Sequence, residues 1–192
     1  MNIPAEELVD WLDEAGLVRG TVTRREMRRD NLLHAVTATL VFHPGGEVYI
    51  HQRSPIKDVF PGLWDLCVGG TVVSGESFEE NACREISEEL GIVGTPVYPL
   101  FGHRYQDAHT NSLIRVFATV HGGPVRWQPE EVVQGRWASE AEVMALVARG
   151  EMCPDTSELW ALYLERFGQG RNFAREVAPT LRPLTRAERP PE

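Results

Sequence analysis

The stretch from Ser77 to Gly91, SFEENACREISEELG, carries its own helix start, its own helix stop and a face that an isolated helix tolerates badly. Ser77 followed by Glu80 forms a capping box, in which the serine oxygen accepts from the free N–H groups of the first turn. Gly91 ends the run, because glycine enters the left-handed conformation without the clash a side chain brings. Phe78, Ala82, Ile86 and Leu90 recur every four residues and predict the buried stripe. Glu85, Glu88 and Glu89 stand at i, i+3 and i+4, so they share one face beside it.

That acidic face opposes the helix it sits on. Like charges at i,i+4 destabilise by roughly 0.2–0.5 kcal/mol per pair, and no lysine is interleaved to offset them. Glu88 and Glu89 also occupy the last turn, where the macrodipole favours cations. A divalent cation reverses both effects, since carboxylate oxygens are what hard Mg²⁺ prefers. The competing reading is a plain solvated acidic surface. Arg84 is equally two-sided: an ion-pair partner for Glu80 or Glu88, or a rigid fork that orients the neighbouring glutamates.

Composition excludes several classes. A chain of 192 residues with 42% hydrophobic content fits one domain of about 150 residues plus extensions. Its three cysteines, Cys67, Cys83 and Cys153, are widely spaced and match neither a disulfide frame nor a zinc site. With no membrane-length apolar run and no signal peptide, the expectation is a cytoplasmic protein without a membrane partner. A formal charge of −9 argues against binding a nucleic acid polymer, and an acidic protein that handles phosphates needs metal between itself and its substrate. Oligomeric state is not written in the sequence; a homodimer is the commonest assembly.

Strand and helix patterns alternate along the chain. Residues 5–30 fit either a helical face or a hairpin turning at Asp13-Glu14-Ala15-Gly16, followed by a charged short helix or linker to Asn31. Strands are expected at Ala35–Phe42, Val48–Arg53, Leu113–Val120 and Val132–Trp137, and helices at Glu140–Ala148 and Asp155–Phe167. The resulting class is α/β, a mixed β-sheet covered on both faces by helices. The division is an N-terminal extension over 1–30, a main domain over 31–168, and a proline- and arginine-rich tail over 169–192 expected to be weakly ordered or loosely packed.

Extended upstream, the helix segment becomes a spaced pattern: Gly70, Glu76 after five residues, Arg84-Glu85 after seven more, then Glu88-Glu89, Leu90 and Gly91. This resembles the signature of the Nudix family with every fixed position filled. The resemblance implies an α/β/α sandwich and a pyrophosphohydrolase that uses Mg²⁺, with Mn²⁺ the alternative. Its substrate would be a small molecule with a diphosphate linked to some group X, attacked by metal-activated water. It implies metal ligation by Glu85 and Glu89, with Glu88 as a third ligand or the base, the Gly69 carbonyl completing the set, and Arg84 holding the glutamates. In many relatives a glutamate from a distant loop is the base, and Glu130 or Glu131 is the counterpart here unless that loop is merely solvated. Glu76 reads as a supporting acid.

A second likeness runs from Tyr49 to Trp64, YIHQRSPIKDVFPGLW, and resembles isopentenyl-diphosphate isomerases and the Nudix hydrolases nearest to them. It favours the hairpin for the N-terminal residues and suggests Arg53 and Lys57 for phosphate and Trp64 beside the X group; a structural ion pair is the other reading for Arg53. Departures weigh against isomerase chemistry. Gly69 and Thr71 stand where that family places its cysteine and histidine, with Cys67 two residues out of register, and Thr110-Asn111-Ser112 replaces a Glu-Asn-Glu. A non-catalytic binding module is the third class, disfavoured by the complete set of glutamates.

Overall fold

The computed structural model describes residues 6–128 and 131–184; Glu130 and the last eight residues of the expected tail lie outside the described residues. In chain order the elements are β1 (Leu8–Leu12), β2 (Val18–Thr23), α1 (Arg24–Arg29), β3 (His34–Phe42), β4 (Val48–Arg53), β5 (Trp64–Asp65), β6 (Cys67–Val68), α2 (Phe78–Leu90), β7 (Val97–Gln106), β8 (Asn111–Val120), β9 (Val132–Ala138), α3 (Glu140–Ala148) and α4 (Pro154–Phe167). The helix and strand types anticipated from the sequence are present at these positions, and the mixed α/β class holds.

β3 organises the sheet. Its run HAVTATLVF has neither proline nor glycine, as a strand paired on both edges requires. One edge pairs in parallel with β8 from His34–Ser112 to Phe42–Val120. The other edge is shared in turn by β1 at His34, by Thr71 at Val36, by β6 at Thr39–Leu40 and by β4 at Phe42. β4 pairs with β5 and β9. Alternation along β3 then splits the core in two. Leu40 and Phe42 face α3 and α4 with Leu146, Leu159 and Tyr163, while Val41 faces the other side with Ala82, Ile86 and Leu90 of α2. This is the sandwich of two helical layers about a mixed sheet.

Residues 8–23 form the hairpin, not a helix. Asp13 Oδ1 accepts from the N–H groups of Ala15 and Leu17, each at 2.9 Å, and Gly16 takes φ +79°, so the turn is closed by local side-chain bonding. The hairpin joins the large sheet through β1 and is therefore part of the domain's framework.

β7 was not legible. It contains Pro99 and Gly102, which break strand periodicity, but it pairs only with β8 and carries a register shift between Pro99 and Phe101. An edge strand with a bulge accommodates a residue lacking an N–H.

The tail requires a correction over its described part. Residues 173–177 form a π-helical turn, and Phe173 and Val177 are fully buried. The Phe173 ring stacks on Phe42 at 4.5 Å between centroids. Leu184 is buried as well. Apolar residues spaced among prolines and arginines cover the end of the core, and composition alone hid them. Phe173→Ala should accordingly destabilise the protein by about 3–5 kcal/mol in urea unfolding; a loss below about 1 kcal/mol would mean that this segment adds little to the core.

Candidate active site

The capping box at the head of α2 closes as expected: Glu80 N–H donates to Ser77 Oγ at 3.2 Å and Ser77 N–H to Glu80 Oε2 at 2.8 Å. Gly91 ends the helix at φ +66°. What fixes the helix against the sheet is Asn81, a fully buried residue that sequence periodicity did not single out. Its Oδ1 accepts from Thr37 Oγ1 of β3, and its Nδ2 donates to the Thr71 carbonyl at 3.2 Å and to Glu76 Oε2 at 2.8 Å. A polar residue inside an apolar stripe gives no periodic signal; only its bonding partners reveal its use.

The loop before the helix is pressed onto β3. Thr37 N–H donates to the Gly70 carbonyl and Val72 N–H to the Ala35 carbonyl, each at 3.0 Å. A Cβ at Gly69 would lie 2.1 Å from the Thr37 carbonyl oxygen, and one at Gly70 would lie 2.8 Å from Glu85 Oε1. Gly69 therefore requires glycine for the close approach of backbone to backbone, whereas a side chain at Gly70 would displace the Glu85 carboxylate.

Arg84 binds three acids together. Its Nε and Nη2 reach the two oxygens of Glu76 at 2.8 and 3.1 Å, Nη1 reaches Glu88 Oε2 at 3.1 Å, and Nη2 lies 3.1 Å from Glu85 Oε1. Of the two partners weighed from the sequence, Glu88 is engaged, while Glu80 is spent on the cap. These bonds hold the Glu76 carboxyl below the usual carboxylate range despite its burial. Glu85 and Glu89 behave oppositely. Burial raises both, and their mutual repulsion adds to it for Glu89, which is pushed up to about 8.

A cleft of about 240 Å³ opens beside these groups, lined by Gly69, Gly70, Arg84, Glu85, Glu88 and Glu89, and also by Arg53, Lys57 and Glu131. Lys57 and Glu131, distant in sequence, meet there as an ion pair. Ser54 brings them together, its N–H donating to the Glu131 carbonyl at 2.9 Å while its carbonyl accepts from Lys57 N–H at 3.1 Å. Arg53 lines the same cleft with its fork largely committed: Nη1 to Asp65 Oδ2 at 2.9 Å, Nε and Nη2 to the Val59 carbonyl at 3.1 and 2.9 Å. Its placement is that of a buried structural ion pair at the wall. Trp64 is not brought to the cleft. It sits in β5 opposite Gln52, with the Arg136 guanidinium 5.5 Å from its ring centre. Arg24, Arg28, Glu7 and Asp58 also line the cleft and were missed: the first three reach it through the path of the hairpin and α1, and Asp58 comes from the loop between β4 and β5. The charged composition of 24–31 was the available signal.

The donor set suits a hard divalent ion of the Mg²⁺ type. Glu85 Oε1 is buried and accepts no well-directed hydrogen bond, and two carboxyls one turn apart repel each other. Among the described residues no three His, Cys, Asp or Glu side chains converge as a complete cage. Glu88 turns to Arg84 instead. Mg²⁺ needs no such cage: one or two carboxylates with water and substrate phosphate are its usual protein setting.

A model of the NUDIX domain matches residues 32–159 of the chain. The chain is 35% identical over 160 residues to the uncharacterized Nudix hydrolase PA4841 of Pseudomonas aeruginosa, covering 83% of this chain and 94% of that protein. It is 30% identical over 177 residues to the uncharacterized Nudix hydrolase YfcD of Escherichia coli, covering 92% and 97%. Among solved structures, DR0079 from Deinococcus radiodurans superposes with a TM-score of 0.69 at 29% identity, over 80% of this chain and 96% of that one.

The electrostatics of Glu89 generate a pH dependence. Its carboxyl is raised from 4.5 to about 8, so the folded state binds its proton more tightly than the unfolded state does. The stability this contributes is present below pH 4.5 and is lost as pH rises toward 8. In EDTA, Glu89→Gln should therefore melt higher than the parent at pH 8, by roughly 2–4 °C per kcal/mol of repulsion relieved, with the gap closing at pH 5. A variant that melts lower at pH 8 would show the carboxylate to be a stabilising element.

Proposed function

The chain belongs to the Nudix family, and from that premise we propose that it is a Mg²⁺-dependent hydrolase cleaving the diphosphate linkage of a nucleoside diphosphate-X type of small molecule. The observation that carries this reading is the pair Glu85 and Glu89: two carboxyls lining the cleft beside Gly69, raised by burial and, for Glu89, by mutual repulsion, with the buried Glu85 Oε1 met by Arg84 as an ion pair but, among the described residues, by no well-directed hydrogen bond. Glu85, Glu89 and the Gly69 carbonyl would hold Mg²⁺, or Mn²⁺ in its place, which when bound supplies positive charge to the phosphoryl oxygens and acidifies water.

The protein's own groups divide the remaining work. Arg84 keeps Glu88 and Glu85 in orientation while Glu76 anchors Arg84 from behind. Glu131, in the same cleft and ion-paired with Lys57, accepts the proton of the attacking water once Lys57 turns to the substrate; Glu88 is the other acid able to do so. Lys57 neutralises charge on the substrate phosphates once it leaves Glu131. Arg53 contributes field at the wall, since most of its donors are committed.

Isomerase chemistry finds less support. Cys67, the nearest thiol to the position that chemistry requires, is packed in the core cluster and its thiol is raised well above the ordinary value by burial. Assay against nucleoside diphosphate derivatives and isopentenyl diphosphate tests the proposal. Phosphate or nucleotide release should require Mg²⁺, vanish in EDTA, and fall by about 10³-fold or more in Glu89→Gln. Formation of an allylic isomer would transfer the protein to the isomerase class, and ligand-induced stabilisation without turnover would make it a binding module.

A further inference from the structure

Arg24 and Arg28 stand one turn apart on α1 and both line the cleft. In the free protein they share one carboxylate. Arg24 Nη2 lies 2.9 Å, and Arg28 Nε 3.6 Å, from Asp58 Oδ2. The arginine side chains are 19% and 22% exposed and that of Asp58 is 44% exposed, so the carboxylate meets them from the solvent side, the direction from which a ligand would come.

One carboxylate leaves the two guanidinium groups under-used. Among the described residues the Nε of each is buried without a hydrogen-bond acceptor, and Arg28 Nη1 donates to Thr110 Oγ1 at 3.2 Å. The other cations of the cleft are already balanced: Arg53 by Asp65, Lys57 by Glu131, and Arg84 by Glu76. Glu7 is the remaining acid near Arg24, and burial shifts it toward its neutral form. The arginine pair is thus where the lining retains unmatched positive charge and spare donors.

We infer that Arg24 and Arg28 form a second anion site of the cleft, which binds a phosphate group of the substrate other than the one held at the glutamates, with Asp58 occupying the site until that phosphate displaces it. Fork-shaped guanidinium groups suit phosphate oxygens, and two at helical spacing can bracket one dianion. The described lining contains no aromatic ring, so the part of the substrate that enters here is recognised by charge and not by stacking. Calling that phosphate part of a substrate rests on the hydrolase reading; the anion site itself does not.

Titration calorimetry of the full chain with inorganic phosphate in EDTA separates the two. Without metal the glutamates repel the anion, and binding reports the arginines. Arg24→Gln and Arg28→Gln should each weaken phosphate by about tenfold or more, whereas Asp58→Asn should tighten it by about 3–10-fold. The opposite sign for Asp58→Asn is not expected of a merely structural pair, and it carries the test if an arginine variant fails to fold. Glu89→Gln should bind phosphate at least as tightly as the parent while losing turnover. Folded variants with unchanged affinity, or no phosphate binding by either the parent or Asp58→Asn, would overturn the site and leave the hydrolase reading standing. Phosphate binding with this mutational pattern but no hydrolysis across the substrate panel would overturn the hydrolase reading and leave the site.

Discussion

The bidentate contact between Arg84 and Glu76 is the interaction on which the acidic face of α2 depends. Three glutamates on one side of a helix repel one another and, at its C-terminal end, the macrodipole. Arg84 gathers Glu88 and Glu85 from within the helix, and Glu76 fixes Arg84 from outside it, through both carboxylate oxygens. Glu76 is itself tied to Asn81, and Asn81 to Thr37 of β3. The acidic face is therefore held to the central strand by a chain of hydrogen bonds, and the charges need not find their geometry anew when a cation arrives.

That arrangement also explains why the loop between β6 and α2 is pinned on both sides. Gly69 lies against the Thr37 carbonyl and Gly70 against the Glu85 carboxylate, so the loop is fixed between strand and helix, with no room for a side chain at Gly69 and none at Gly70 unless Glu85 moves. Substituting Gly69 would push the loop off β3 and shift its carbonyl relative to the glutamates, whereas substituting Gly70 would displace the Glu85 carboxylate.

The parts of the fold that could be read from the sequence are those encoded locally. The cap, stripe and stop of α2 occupy a single continuous segment, and so do the strands flanked by glycine turns. Contacts that depend on the path of the chain could not be read in this way. Lys57 meets Glu131 because Ser54 bridges their loops, Arg53 turns to Asp65 and Val59, and Trp64 faces Arg136 away from the cleft. None of these pairings follows from periodicity. Asn81 and Phe173 illustrate the same limit in opposite ways: a polar residue buried beside the predicted apolar stripe without a periodic signal, and an apolar residue buried where a loose tail was expected.

On the proposed reading, the Glu85–Glu89 pair is short of a cation, since Arg84 is shared among three acids, and Arg24 and Arg28 are short of anions, since they share Asp58. A metal ion alone relieves the first deficit and leaves the second; a free polyphosphate does the reverse, and the overall charge of −9 opposes its approach. A metal-bound phosphate ester satisfies both at once. On the proposed function the two ligands would be linked, each raising the affinity for the other by the same factor, because each would remove the repulsion the other meets on entering alone. On that proposal the charge pattern of the cleft, more than its shape, is what would favour the joint binding of metal and phosphate.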